Sequence, residues 1–344
     1  MTDAKCEYRP LILGHNIGTT HGYVTTSDRA LETGADTFQI FYRPSRSYKE
    51  FHRPEDQTLE LAGKIKDRKQ SMVIHSAYII NICQPEDDYR HYQGVSIIVD
   101  DLNVSAKLGA MGVIIHMGND PDKIGDTECK NNFIKGIQTS LRLSDPRSTL
   151  ILETGAGCGN EVSTSLEELG EIRDGLTASD QKRLKYCLDT CHLFAAGYAI
   201  DDPHHIPVIA MEIDRYIGWE NVAVIHLNDS KDPLGSRRDN HQDIGKGRMN
   251  FYGLMEFINV CSQHNIPMIL ETPCNIYNDI HFSHQKQMKL IRKYHQLLHD
   301  PELLGPEIQI LTRTDSHKET QKRKRELAKI QSVKTVRKKA TKSK

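Results

Sequence analysis

"SMVIH", residues 71–75, is a short apolar run that stops on a histidine. Alone it reads as one buried strand, and its neighbours decide what sheet it joins. "MGVIIH" ends at His116, "STLILE" at Glu153, "LKYCLD" at Asp189, "VAVIH" at His226 and "PMILE" at Glu271. Successive ends lie 41, 37, 36, 37 and 45 residues apart. Two earlier runs, "LILGH" ending at His15 and "TFQIFY" ending at Tyr42, raise the number of runs to eight. Helical patterns fill the gaps, among them "STSLEELGEIRDGL" and "FYGLMEFINVCSQHN", the second with apolar residues three and four apart. In "SDRALETGA", Ser27 is the expected N-cap and Gly34 the expected stop.

Continuous apolar strands alternating with helices imply a parallel sheet. Eight such units, each of about 40 residues, imply an α/β fold of the closed (β/α)8 or TIM-barrel type. An open doubly wound sheet is the alternative, but it would not bring six strand ends to one centre. A barrel does, because its C-terminal strand ends form the rim where active sites sit. One polar residue at a strand end is ordinary. Six consecutive ends that are His, Asp or Glu call for a shared task, and imidazole with carboxylate suits zinc or a similar divalent ion.

Three more candidates lie just beyond the strands. His192 follows Asp189 in "LDTCHLFAAGY", and "HLNDSKDPLGSRRDNHQDIGKGRM" (226–249) adds Asp239 and His241 to His226. A D-x-H pair places two side chains on the same side of an extended loop. Nine ligands exceed the four or so that one zinc takes. They suit three ions if a carboxylate bridges two of them.

The 344 residues carry a net charge of −1, which hides an asymmetry. From Arg313 to Lys344 there are 13 Lys and Arg against 3 Asp and Glu, a charge of +10 that leaves −11 on the rest. This segment has almost no apolar residues and is expected to be a disordered Lys/Arg-rich tail. The expected barrel domain is therefore 1–312 and the tail 313–344. The tail is expected to add salt-dependent, sequence-independent DNA affinity. Its "KRKR" (322–325) and "RKK" (337–339) are candidate nuclear addresses. No run of about 18 apolar residues exists to span a membrane, and "MTDAKCEYRP" lacks the apolar core of an export signal. Eight cysteines without a CxxC pair read as reduced thiols in an intracellular protein.

The sequence resembles the endonuclease IV family, the second structural family of abasic-site endonucleases, from about residue 10 to 300. The resemblance rests on "HSAYIIN", "ETGAGCG", "LDTCHLFAAGY", "HLNDSK…GSRRDNHQDIGKG" and "ILETP". It implies three zinc ions per chain. His75 and His116 would hold the first, with Glu153 bridging to the second. Asp189, His226 and Glu271 would complete the second, and His192, Asp239 and His241 would hold the third. It also implies hydrolysis of the DNA phosphodiester 5′ of an abasic site to leave a 3′-hydroxyl, in base-excision repair, by a monomer acting on double-stranded DNA. Glu153 and Glu271 are the candidates for orienting the nucleophile, though ligand roles suit both. In "FYRPSRSY", Arg46 and Tyr48 stand where the family inserts basic and aromatic side chains into DNA. Tyr78 in "HSAY" matches a position near DNA, and Lys246 lies in the "GKG" segment turned toward its backbone. Two departures concern loop shape only: Met117 stands where the family usually has Pro, and Gly155 where it usually has a small polar residue.

Two other function classes compete. Barrel sugar isomerases and epimerases share strand-end carboxylates, but they use one or two metals held mainly by carboxylate, against five His here. A non-catalytic DNA-binding barrel would have lost ligands, and none is missing. Of the remaining polar residues, His204 and His205 read as surface, Asp201 and Asp202 as caps of the following helix, Cys187 and Cys191 as packing residues, and Trp219 as packed beside a helix end. His15 is expected at the pocket wall but not as a ligand.

Overall fold

The computed structural model describes residues 8–277 and 279–300. The basic tail and the 312/313 boundary lie outside them. Eight parallel strands form a closed barrel: β1 (Leu13–Asn16), β2 (Thr37–Phe41), β3 (Ser71–His75), β4 (Val113–Ile115), β5 (Leu150–Glu153), β6 (Leu184–Asp189), β7 (Val222–His226) and β8 (Met268–Leu270). Each strand pairs with the next in sequence, and β8 closes onto β1 through Leu13↔Met268 and His15↔Leu270. Closure excludes the open sheet.

Alternation along each strand explains the recurrent polar ends. Val73, Ile114, Ile151, Cys187, Val224 and Ile269 form a separate buried cluster, the filling of the barrel's interior. Each stands two residues before a strand-end candidate, and residues two apart share a face. His75, His116, Glu153, Asp189, His226 and Glu271 therefore all point toward the axis, one layer above that filling. The intervening residues, such as Met72, Ile74, Leu152 and Leu188, join the larger core under the helices. At the seam between β1 and β2 the backbones run so close that a Cβ on Gly14 would lie 1.8 Å from the Thr37 carbonyl oxygen. Any side chain there would force the seam open.

The helices begin where the sequence supplies caps. Ser165 and Glu168 form a reciprocal capping box at helix Leu166–Asp174, and Asn250 caps Phe251–Gln263. The expected cap at Ser27 is corrected: that helix runs Thr26–Glu32 from Thr25. Ser27 is buried inside it, bonded to Gln70 and Arg68. Gly34, with φ +71°, follows its end. The helix after Asp202 runs Ile206–Tyr216 from His205. Asp202 accepts the His204 N–H at 3.0 Å, whereas Asp201 is buried and accepts from Asn250 N at 2.6 Å. Trp219 stacks on His264 with centroids 4.4 Å apart. Among the described residues, no helix is long and apolar enough to cross a membrane.

Candidate metal centre

The C-terminal mouth brings all nine His, Asp and Glu candidates together. Their donor atoms fall into three linked groups: His75, His116 and Glu153; Glu153, Asp189, His226 and Glu271; and His192, Asp239 and His241. Glu153 is the hub. Its Oε2 lies 3.3 Å from His75 Nε2 and 3.4 Å from His116 Nε2, while its Oε1 lies 2.7 Å from His226 Nδ1. His226 Nδ1 also lies 3.3 Å from Glu271 Oε2 and 3.8 Å from Asp189 Oδ2. In the outer group Asp239 Oδ1 sits 3.1 Å from His192 Nε2 and 3.0 Å from His241 Nε2. Asp189 joins this group to the hub, with Oδ2 at 3.5 Å from His241 Nε2.

The surrounding hydrogen bonds fix which nitrogen each imidazole offers. His75 Nδ1–H donates to the Ser76 carbonyl at 2.8 Å and His192 Nδ1–H to the Thr154 carbonyl at 2.7 Å, so both present Nε2. His226 is wired the other way. The Gln39 amide donates to Glu271 Oε1 at 2.6 Å, which leaves its oxygen to accept His226 Nε2–H at 2.8 Å and turns Nδ1 inward. Such outer partners hold ring orientation and tautomer at metal sites. Asp189 works at two tasks. Its Oδ1 caps helix Thr190–Ala196 by accepting His192 N–H at 2.9 Å, and its Oδ2 accepts from Asn228 Nδ2 at 2.8 Å. The three-residue step from Asp189 to His192 is thus an N-cap and its third helical residue, both at the mouth.

A cation fits this donor set. His116 Nε2, His192 Nε2 and His241 Nε2 are buried and face only carboxylate oxygens, of Glu153 at 3.4 Å and of Asp239 at 3.1 and 3.0 Å, without an aligned hydrogen bond, and a buried polar atom left so is costly. The electrostatics favour positive charge. Burial opposes ionisation at His192, His226 and His241, yet neighbouring acidic groups override it there. Asp189 and Asp239 hold His192 well above its ordinary range and bring His241 up to about 9. The Cys187 sulfur, Glu271 and Glu153 raise His226. At Glu153 burial likewise yields, first of all to the charge and hydrogen bond of His226, and its carboxyl sits well below the ordinary range. His116, where burial wins, drops to about 4 and stays neutral.

A cavity of about 520 Å³ opens above the cluster, and Arg46, Tyr78, Lys231, Asn240 and Glu161 line it with ligand candidates of all three groups. Burial, and then the Glu271 and Glu153 charges, raise the Tyr78 hydroxyl, so it keeps its proton and remains a donor. Tyr48 is not among the cavity walls: its ring packs against the core and its hydroxyl donates to the Ile79 carbonyl. Lys246 also stands off the cavity, over the rings of Tyr277 and Phe282 at 5.4 and 5.7 Å. Its segment is built on the buried Asp229 carboxylate, which accepts the N–H groups of Gly245, Gly247 and Met249 at 2.9–3.2 Å. A Cβ on Gly247 would meet Asp229 Oδ1 at 2.2 Å. His15 leaves the pocket; it bonds the Asn16 carbonyl and Thr33 and stacks on His284. Sequence reasoning missed Gln39, whose signal was an amide inside the apolar run "TFQIF". It missed Asn228 and Thr154 as well, polar neighbours of ligands with nothing to mark them.

The fold and the clustered donors define a class, the metal-binding TIM-barrel enzymes. A profile of the xylose isomerase-like TIM barrels matches residues 27–294. A protein named "Probable endonuclease 4" from Thermosipho africanus is 32% identical over 273 residues, 78% of this chain and 94% of that one. The crystal structure of endonuclease IV from Thermus thermophilus superposes with a TM-score of 0.70 at 26% identity, over 84% of this chain and 99% of its own. A D-tagatose 3-epimerase-like protein superposes at 0.63 with 15% identity, which is a likeness of fold alone. The chain belongs to the endonuclease IV family, and its class is that of an endodeoxyribonuclease.

Proposed function

We propose that this protein is a zinc-dependent abasic-site endonuclease that hydrolyses the phosphodiester 5′ of the lesion and leaves a 3′-hydroxyl, as a step of base-excision repair. The observation that carries the reading is the set of three linked donor groups, the first two sharing Glu153, with the Nε2 atoms of His116, His192 and His241 aimed at their carboxylates. Three zinc ions, one per group, would supply Lewis acidity, which activates water at neutral pH and neutralises charge on a phosphodiester. His75 and His116 would serve the first group and His192, Asp239 and His241 the outer one. Asp189, His226 and Glu271 would serve the second. Glu153 would join the first two and, with Glu271, would orient the attacking water.

The other residues prepare the substrate. Arg46 and Lys231 offer positive charge at the cavity wall to an anionic backbone. Tyr78 offers a hydroxyl that keeps its proton. Its ring lies 5.1 Å from that of His75 and 5.3 Å from that of His116, close enough to shield the first group from bulk water. An abasic nucleotide suits a deep cavity at a rigid mouth, because extruding it costs less when no base must be unstacked. Lys246 would meet the backbone outside the cavity. The protein would act as a monomer, since one chain supplies every donor.

The test is a duplex carrying a single tetrahydrofuran abasic analogue, with the cut mapped. The analogue has no aldehyde, so lyase chemistry cannot break it. The expected product is a nick immediately 5′ of the lesion with an extendable 3′-hydroxyl, from protein that holds close to three zinc ions per chain. No cut by zinc-loaded protein overturns the reading in favour of a sugar isomerase, for which one or two metals per chain would be found.

A further inference from the structure

The loops after β2 and β3 each bring one side chain to the cavity, Arg46 from the first and Tyr78 from the second. Three ties join these loops in order along both of them. At the base the fully buried Asp101, on helix Tyr89–Leu108, accepts from Arg43 Nε at 2.9 Å and from Ser76 Oγ at 2.6 Å. In the middle Tyr78 N–H donates to the Ser45 carbonyl at 2.8 Å. Farthest along both loops the Tyr48 hydroxyl donates to the Ile79 carbonyl. Arg43, Ser45 and Tyr48 belong to the first loop, and Ser76, Tyr78 and Ile79 to the second. Each tie spans the gap between them, and Tyr78, which makes the middle tie through its backbone, bears on the cavity with its side chain.

We infer that the two loops act as one rigid clamp on the substrate, and that Tyr48 is its positioning residue rather than a DNA contact. The inference rests on the DNA-cleaving reading above. The hydroxyl of Tyr48 is committed to Ile79, its ring lies against the core, and it is absent from the cavity wall. It acts through Arg46 and Tyr78 by fixing their separation across the mouth. The Asp101 tie is buried and holds the base of the clamp whatever the substrate does. The Tyr48 tie is the last along both loops, so it sets how closely their far ends are held. Order in the free protein reduces what must be ordered on binding, which strengthens binding without any added contact.

Tyr48→Phe removes the hydroxyl and keeps the ring, so the fold is retained. Amide hydrogen exchange of the free protein is the first readout. The expected result is faster exchange at residues 45–48 and 77–80 with barrel-strand amides unchanged. Kinetics on the abasic duplex are the second. One hydrogen bond of this kind is worth about tenfold at most, and it should appear as a rise in KM larger than any fall in kcat. The third is a cycle: in an Arg46→Ala/Tyr78→Ala background, Tyr48→Phe should add nothing, because its route to the DNA is gone. Unchanged exchange, or a KM effect that adds in full in the double variant, overturns the inference and makes Tyr48 a direct contact or mere packing. If wild-type protein fails to cut the abasic duplex, the functional reading falls, while the exchange readout still decides whether the clamp exists.

Discussion

The inner and outer parts of the candidate metal centre are built differently. His75, Glu153, Asp189 and His226 stand on strand ends, are wholly buried, and have their orientations fixed by Ser76, Gln39 and Asn228. Asp239 and His241 come from a loop; the Asp239 side chain is 40% exposed and that of His241 19%. The inner part is as rigid as the barrel. The outer part holds its shape through His192, which a helix fixes, and through whatever the loop encloses. A centre of this kind sets a strand-borne scaffold beside a loop-borne face, and the cavity meets both, through His116 and Glu271 on one side and Asp239 and His241 on the other.

The sharpest way to break this comparison is Glu153→Gln. Glu153 touches both inner groups, so activity should fall roughly a thousandfold or more, and metal analysis should show the loss of two ions rather than one. Loss of a single ion would mean that Glu153 is not shared. Asp239→Asn should be milder, about a hundredfold in activity, with one ion lost and the inner pair kept. If the inner ions left with it, the two parts would be one unit. Gln39→Ala removes only the outer support of His226 and Glu271. About tenfold weaker metal affinity is expected, in the range for such supporting bonds, measured by competition with a chelator. The same change made beside the outer group, Asn240→Ala, should have less effect, because Asn240 bonds Asp232 at 2.7 Å and none of the ligand candidates.

The same contrast governs what was legible in the chain. The inner ligands end strands of near-constant spacing, and a period-two element followed by a polar stop is written in the residue order. His192 is legible for a related reason, since an N-cap aspartate fixes the residue three places on. Asp239 and His241 follow no periodicity; only the motif around them singled them out. Gln39 escaped notice because it sits in mid-strand, where an amide looks like a tolerated exception. It is long enough to reach the layer above its own. His15 misled in the opposite sense: a strand-end histidine that turns to its own backbone and Thr33. Tyr48 and Lys246 show the limit for loops, where spacing says which residues are near the mouth and packing decides which of them face it.

The loop from Leu227 to Asn240 carries Lys231, Arg237 and Arg238, all exposed, between His226 and the Asp239–His241 pair. Bound metal would therefore tie down a stretch that displays three trypsin sites. Resistance of these bonds to trypsin becomes a gauge of occupancy that needs no DNA. In a chelator titration, nicking after Arg237 and Arg238 should begin once the outer ion departs, while the barrel itself stays intact.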